Sequence, residues 1–163
     1  MTQQGAEIGF AMPTAYLGLG SNLGDRRANL ERAVAALATL GPVRRSRWLE
    51  TEPVGMPGAP RFLNGVAALE TTLGAAGLLE RTSALEAECG RDAVDRDGPR
   101  TLDIDLLLYG EDRVDEPGLQ VPHPRMAERE FVLEPLAELD PDARHPETGQ
   151  TAARMLRELR EQA

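Results

Sequence analysis

Asp103 and Asp105 stand two residues apart in the run Gly98-Pro99-Arg100-Thr101-Leu102-Asp103-Ile104-Asp105-Leu106-Leu107-Leu108-Tyr109-Gly110. The apolar residues around them predict a β-strand. Strand side chains alternate, so Thr101, Asp103 and Asp105 share one face, and Leu102, Ile104, Leu106 and Leu108 share the other. Aspartate is a poor strand former, and two carboxylates about 7 Å apart repel by about 2 kcal/mol at an effective dielectric of about 20. A hard divalent cation relieves that repulsion. Mg²⁺ takes oxygen ligands, is commonly held by one or two carboxylates plus substrate phosphates, and in two-metal sites works as a pair about 3.5–4 Å apart. Asp-x-Asp by itself is a weak signal, and two solvated aspartates on an exposed sheet face are the competing reading.

The flanking residues favour the ion. Gly98-Pro99 makes a firm turn before the strand. Arg100 then stands at the strand's mouth, where its planar fork suits phosphate oxygens or a salt bridge to either aspartate. His123 lies between Pro122 and Pro124, which hold it extended, and Arg125 and Arg129 follow it, so these three residues make a candidate anion-binding patch. Phe62 and Phe131 are candidate stacking partners for a flat heterocycle, against the default of core packing. Asn64, which both donates and accepts, is suited to a ring's hydrogen-bonding edge, or else to a turn contact at a strand end.

Composition limits the chemistry. The 163 residues carry 18 basic and 27 acidic side chains, a net charge of −9, which disfavours nucleic acid and anionic membranes as partners. All 18 basic residues are arginine. Without lysine there is no P-loop, no kinase strand lysine and no Schiff-base mechanism. The single cysteine, Cys89, cannot form an internal disulfide, and no Cys/His spacing matches a zinc site. The N-terminus lacks the basic start and apolar run of a secretory signal, and no apolar stretch reaches the ~20 residues that span a bilayer. The expectation is a cytoplasmic protein acting on small molecules, monomeric rather than oligomeric. Residues 1–13 read as a disordered extension, with Met12 a candidate start, and residues 14–163 as one domain.

The elements that must position these residues follow in order. Thr14–Gly20 reads as a strand. Helical spacing of Leu30, Ala33, Val34, Leu37 and Leu40 predicts a helix over 25–40, stopped by Gly41-Pro42. Val43–Thr51 reads as a second strand and Leu63–Thr72 as a third. Between them the Pro- and Gly-rich run 52–62 excludes regular structure and has the stiffness of a functional loop. Ala75–Cys89 is a second helix, with Leu78, Leu79, Thr82, Leu85 and Cys89 on its buried stripe, and the acidic strand follows. Gly18-x-Gly20-x-x-x-Gly24 is one residue too long for a dinucleotide fingerprint and is better read as a tight turn beside a ligand cleft. The order strand, helix, strand, strand, helix, strand fits an α+β, ferredoxin-like (βαββαβ) antiparallel sheet with both helices on one face. Beyond it, a short extended piece at Leu119–Val121, a helical stretch over Arg129–Leu139 and an amphipathic helix over Thr151–Glu161 can cover the opposite face, giving three α/β/α layers.

Taken together, Gly20-Ser21-Asn22-Leu23-Gly24-Asp25, Glu50-Thr51-Glu52-Pro53-Val54-Gly55, Phe62-Leu63-Asn64, the Gly98 to Asp105 run and Val121-Pro122-His123-Pro124-Arg125-Met126 resemble the 6-hydroxymethyl-7,8-dihydropterin pyrophosphokinases. The resemblance spans about Ala15 to Leu139. It implies a folate-pathway transferase that passes pyrophosphate from ATP to the pterin's hydroxymethyl group and releases AMP. By that likeness Asp103 and Asp105 hold two Mg²⁺ ions, and Arg91, Arg100, His123 and Arg129 contact phosphates, Arg91 and Arg100 with catalytic effect. Glu86 and Leu106 fall where the family meets the nucleoside. Phe62 and Phe131 would sandwich the pterin, Asn64 would bind its edge, Asp103 would border the ring, and Thr51, Glu52 and Val54 would complete the pocket. The loop 91–97 lacks the family's usual tryptophan and basic residues, which implies weaker nucleotide affinity or a looser seal. Two rivals predict different products: a non-catalytic metabolite-binding module releases no AMP, and a metal-dependent nucleotidyltransferase releases pyrophosphate.

Overall fold

Along Thr14–Ser21, the strand β1, Ala15, Leu17 and Leu19 are buried on one face, and Tyr16, Gly18 and Gly20 line the other. That strand lies inside the sheet of a computed structural model that describes residues 12–52, 58, 60–89 and 101–163. The remaining elements are α1 (Arg26–Ala38), β2 (Val43–Arg45), β3 (Leu49–Thr51), β4 (Phe62–Glu70), α2 (Ala75–Glu88), β5 (Asp103–Tyr109), β6 (Val114–Glu116), β7 (Leu119–Val121), α3 (Glu130–Leu139) and α4 (Ala152–Glu161). β4 and β5 flank β1, β2 and β3 both pair with the outer edge of β4, and every pairing is antiparallel. This is the strand order of a βαββαβ, ferredoxin-like sheet. β6 and β7 form a separate hairpin. Pro13 accepts a hydrogen bond from Thr71 N at 3.4 Å, and residues 1–11 of the expected extension lie outside the described residues.

Two apolar layers sandwich the sheet. Leu30, Ala33 and Leu37 of α1 and Leu78 and Leu85 of α2 pack on Ala15, Leu17, Leu19, Ala67, Leu69 and Ile104. Val132, Leu133 and Leu136 of α3 and Ala152 and Met155 of α4 pack on Val66, Leu107 and Leu108. Asp25 caps α1 by accepting from Ala28 N, and Thr151 caps α4 by accepting from Arg154 N. The second layer is pinned by a polar contact. Tyr16 donates to Asp140 Oδ2 at 2.7 Å, and Arg44 donates to both oxygens of that carboxylate at 2.8 and 3.2 Å. Burial pushes the Asp140 carboxyl up, but the hydrogen bonds from Arg44 and Tyr16 outweigh it and leave it below the usual carboxylate range.

Two expected features differ. The single strand over Val43–Thr51 is broken. Arg45 pairs with Ala67 and Leu49 with Asn64, so four steps along the outer strand oppose three along β4. Ser46 fills the gap by donating its N–H to Val66 O and accepting Val66 N–H on its hydroxyl, both at 2.9 Å. The break lets Trp48 lie across Gly65, where a Cβ would come within 2.5 Å of the indole, while Trp48 Nε1 donates to Glu31 of α1 at 2.9 Å. The second difference is in β5. Tyr16 pairs with Leu108 and Leu17 with Leu106, so Leu107 is a bulge with no partner on β1. Alternation therefore fails at that point. Leu102, Ile104 and Leu106 face α1 and α2, but Leu108 joins Leu107 against α3 and α4, contrary to the expectation from strict alternation.

Candidate active site

The sheet brings the acidic pair into rows. Asp103 pairs with Gly20, and Gly20 pairs with Asn64 on its other side; Asp105 pairs with Gly18, and Gly18 with Val66. The two central positions lack side chains of their own, so neighbouring side chains can reach across them. A Cβ at Gly20 would stand 2.7 Å from Asn64 Oδ1 and 3.4 Å from Phe62 Cδ1, so these two side chains lean over it. Gly20 is thus a floor within a strand, whereas Gly18 is covered by the Leu107 side chain, which a Cβ there would meet at 3.7 Å. The turn anticipated from the glycine pattern is confined to Gly24, whose φ is +73°. The signal for the floor was present as matched periods of two, Gly18-x-Gly20 against Asp103-x-Asp105.

One end of the row is preorganised by side-chain hydrogen bonds. Asn64 is 7% exposed and donates through Nδ2 to Thr51 Oγ1. That donation orients the amide, with Oδ1 directed over Gly20. Asn22, also buried, donates to Pro60 O at 3.1 Å. Arg26 donates to Arg61 O at 3.0 Å and to Glu50 at 2.9 Å, and Arg61 pairs with Glu52 at 2.7 Å. The two carbonyls preceding Phe62 are therefore held from the turn that follows β1, by Asn22, and from the first residue of α1, Arg26. Sequence reasoning did not single out Asn22 or Arg26 individually: Asn22 lies in a polar turn, where local hydrogen bonds are the default, and Arg26 opens α1.

At the other end lies a cavity of about 280 Å³, with Asp105, Ile104, Leu106, Leu119, Gln120 and His123 in its lining. His123 arrives there because its backbone N–H donates to the carbonyl of Leu107, the bulged residue, at 2.9 Å. Its Nδ1 accepts from Arg125 N at 3.1 Å, which leaves the ring proton on Nε2. Burial, then the charges of Arg129 and Arg125, lower its pKa below the ordinary 6.5, against a smaller opposing pull from Asp103, so the imidazole is neutral at pH 7. Arg129 lies over the half-buried Phe131 ring, its Cζ 5.6 Å from the centroid. Glu86 is 8% exposed, and its Oε2 accepts from Ile104 N at 2.6 Å. A larger cavity of about 400 Å³ between α3 and α4 has Ala137, Pro141, Leu156 and Arg160 in its lining and none of the expected site residues.

A family model described as 7,8-dihydro-6-hydroxymethylpterin-pyrophosphokinase (HPPK) matches residues 16–141. The chain belongs to this family. The pyrophosphokinase is 47% identical over 135 residues to the 2-amino-4-hydroxy-6-hydroxymethyldihydropteridine pyrophosphokinase of Pseudomonas aeruginosa, covering 81% of this chain and 83% of that one. It is 43% identical over 148 residues to the enzyme of the same name from Bacillus subtilis, covering 86% and 89%. Among solved structures, the pyrophosphokinase superposes on an HPPK-DHPS crystallised in complex with substrates with a TM-score of 0.75 at 11% identity, covering 94% of this chain and 44% of that one, a likeness of fold.

Of the site residues expected in the pyrophosphokinase, Asn64 and Asp103 share one row, Phe62 and Thr51 adjoin its Asn64 end, and Asp105 begins the next. Asp105, Leu106 and His123 line one cavity. Glu52 is exposed beside Arg61. Val54, Arg91, Arg100 and the loop 91–97 lie outside the described residues. No described helix is long and apolar enough to cross a membrane.

Proposed function

We propose that this row performs the family's reaction, in which the hydroxymethyl oxygen of 6-hydroxymethyl-7,8-dihydropterin attacks the β-phosphorus of ATP, the α,β-bridging bond breaks, and AMP leaves. Phe62 and Phe131 stack on the pterin, Asn64 reads its edge, and backbone groups of Thr51, Glu52 and Val54 complete the pocket. The absence of a side chain at Gly20 lets Asn64 and Phe62 lean across the strand towards Asp103, where the ring binds. The observation that carries this reading is the row Asn64, Gly20, Asp103, a polar reader and an acid separated by a position without a side chain.

Asp103 and Asp105 fit Mg²⁺ by the chemistry of their donors, two hard carboxylates on one strand face. Among the described residues no group of three or more metal-binding side chains occurs. Ions held by this pair would complete their shells with phosphate oxygens and water, which is how Mg²⁺ is usually bound. Two such ions, when bound, supply charge neutralisation along the triphosphate. Arg91, Arg100 and Arg129 contribute fixed positive charge to the same oxygens, and neutral His123 donates through Nε2–H, so the chain neutralises phosphate without lysine. Leu106 supplies an apolar wall for the nucleoside, and Glu86 lies on that side of the strand. The enzyme acts as a cytoplasmic monomer on these small molecules.

Purified protein incubated with ATP, the pterin and Mg²⁺ is expected to release AMP. Release of pyrophosphate instead would assign nucleotidyl transfer, and metal-independent pterin binding with no nucleotide product would assign a sensing module.

A further inference from the structure

β5 is the last strand of the sheet, so one of its edges has no strand partner among the described residues. Amides on such an edge need another acceptor, and here one stands between the two aspartates. The amide is that of Ile104, and its acceptor is the carboxylate of Glu86, reaching from α2 at 2.6 Å. Both residues are under 10% exposed, Ile104 at 7% and Glu86 at 8%. A carboxylate in this place is disfavoured twice, by burial and by its position in the last turn of a helix, where the macrodipole opposes negative charge. A leucine would fill the space without either cost. The carboxylate gives the Ile104 peptide plane a short, charge-assisted hydrogen bond that a leucine could not.

We propose that Glu86 is a positioning residue for the acidic pair. By holding Ile104 N–H on the open edge of β5, it fixes the separation and direction of Asp103 and Asp105. The hold matters here because Ile104 lies between the two aspartates on an edge strand, and aspartate is a poor strand former. The proposal rests on the reading that the pair binds divalent ions together with the nucleotide. It differs from a nucleoside contact by Glu86 in what it predicts for metal and for nucleotide without metal.

The test reads Mn²⁺ binding by electron paramagnetic resonance in the presence of a non-hydrolysable ATP analogue, with AMP affinity measured separately without metal. Glu86→Ala is expected to weaken Mn²⁺ binding about tenfold or more, and by a clearly larger factor than it weakens AMP binding without metal. Glu86→Gln keeps an acceptor for Ile104 and is expected to restore Mn²⁺ affinity to within about threefold of the parent. Unchanged Mn²⁺ affinity in Glu86→Ala overturns the proposal, as does a Glu86→Gln variant as impaired as Glu86→Ala, or a parallel loss of AMP binding. Parent protein that adds nothing to the analogue's own Mn²⁺ affinity overturns the metal reading and this proposal with it. Should Glu86→Ala not fold, hydrogen exchange on the parent decides. The Ile104 amide is expected to be protected about 100-fold or more despite its edge position, and an unprotected rate overturns the proposal.

Discussion

The two faces of the sheet use the same strands for opposite ends. On the face towards α1 and α2, β1 presents Ala15, Leu17 and Leu19, all at most 2% exposed, and the surface is filled to its ends. On the other face, β1 passes from Tyr16, tied to Asp140 and Arg44, to Gly18, which lies under the Leu107 side chain, and Gly20, which lies under Asn64 and Phe62. The helices α3 and α4 cover the Tyr16 end, where Leu107 and Leu108 meet them. The candidate site therefore begins where β1 gives up its own side chains and neighbouring strands reach across it, Leu107 over Gly18 and Asn64 and Phe62 over Gly20.

The sharpest way to separate the faces is to neutralise the acids. Asp103→Asn and Asp105→Asn are each expected to lower kcat/KM by about three orders of magnitude or more, with the melting temperature unchanged within about 3 °C. Full activity in both variants would refute their role as metal ligands. The closed face should answer in the other currency: Leu17→Ala is expected to cost about 3 kcal/mol in denaturant unfolding, and the folded fraction should keep its kcat.

A smaller and more selective effect is expected from Gly20→Ala. Its Cβ would displace the Asn64 amide, so pterin affinity measured by calorimetry should fall about 10- to 100-fold while nucleotide affinity holds. Parallel losses of both ligands would mean that the floor serves the whole strand and not the pterin end.

The smallest effect is on pH. His123 and His145 both titrate below the ordinary 6.5, mainly through burial, so the unfolded chain takes up protons first as pH falls below that value. Stability should therefore drop from about pH 7 to about pH 5, followed at lower pH by loss of the Asp140 contribution as that carboxyl protonates. A melting temperature that stays flat over about pH 7 to about pH 5 would remove the case for two neutral imidazoles.

What could be read before folding was the chemistry with a period. Asp103 and Asp105, two apart among leucines, declare a shared strand face, and helical spacing located α1 and α2 to within two residues at each end. The bulge at Leu107 was hidden because Leu106, Leu107 and Leu108 are equally apolar and carry no mark of the face each takes. The break at Ser46 was hidden for a related reason, since Val43–Thr51 has a strand's composition and only pairing with Val66 shows where it slips. Tyr16 and Asp140, 124 positions apart, meet only in three dimensions. Glu86 was located on the right element, but a helical glutamate gives no sign that its carboxylate serves the backbone of another strand.

Leu107 sets a phase shift within a single strand. Upstream of it, β5 alternates strictly, acids out and isoleucine in; downstream it is in step with the hydrophobic layers, and the extra carbonyl at the changeover anchors the backbone of His123. Excising that one residue would force a choice, because the acids and Tyr109 could no longer both keep their sides of the sheet.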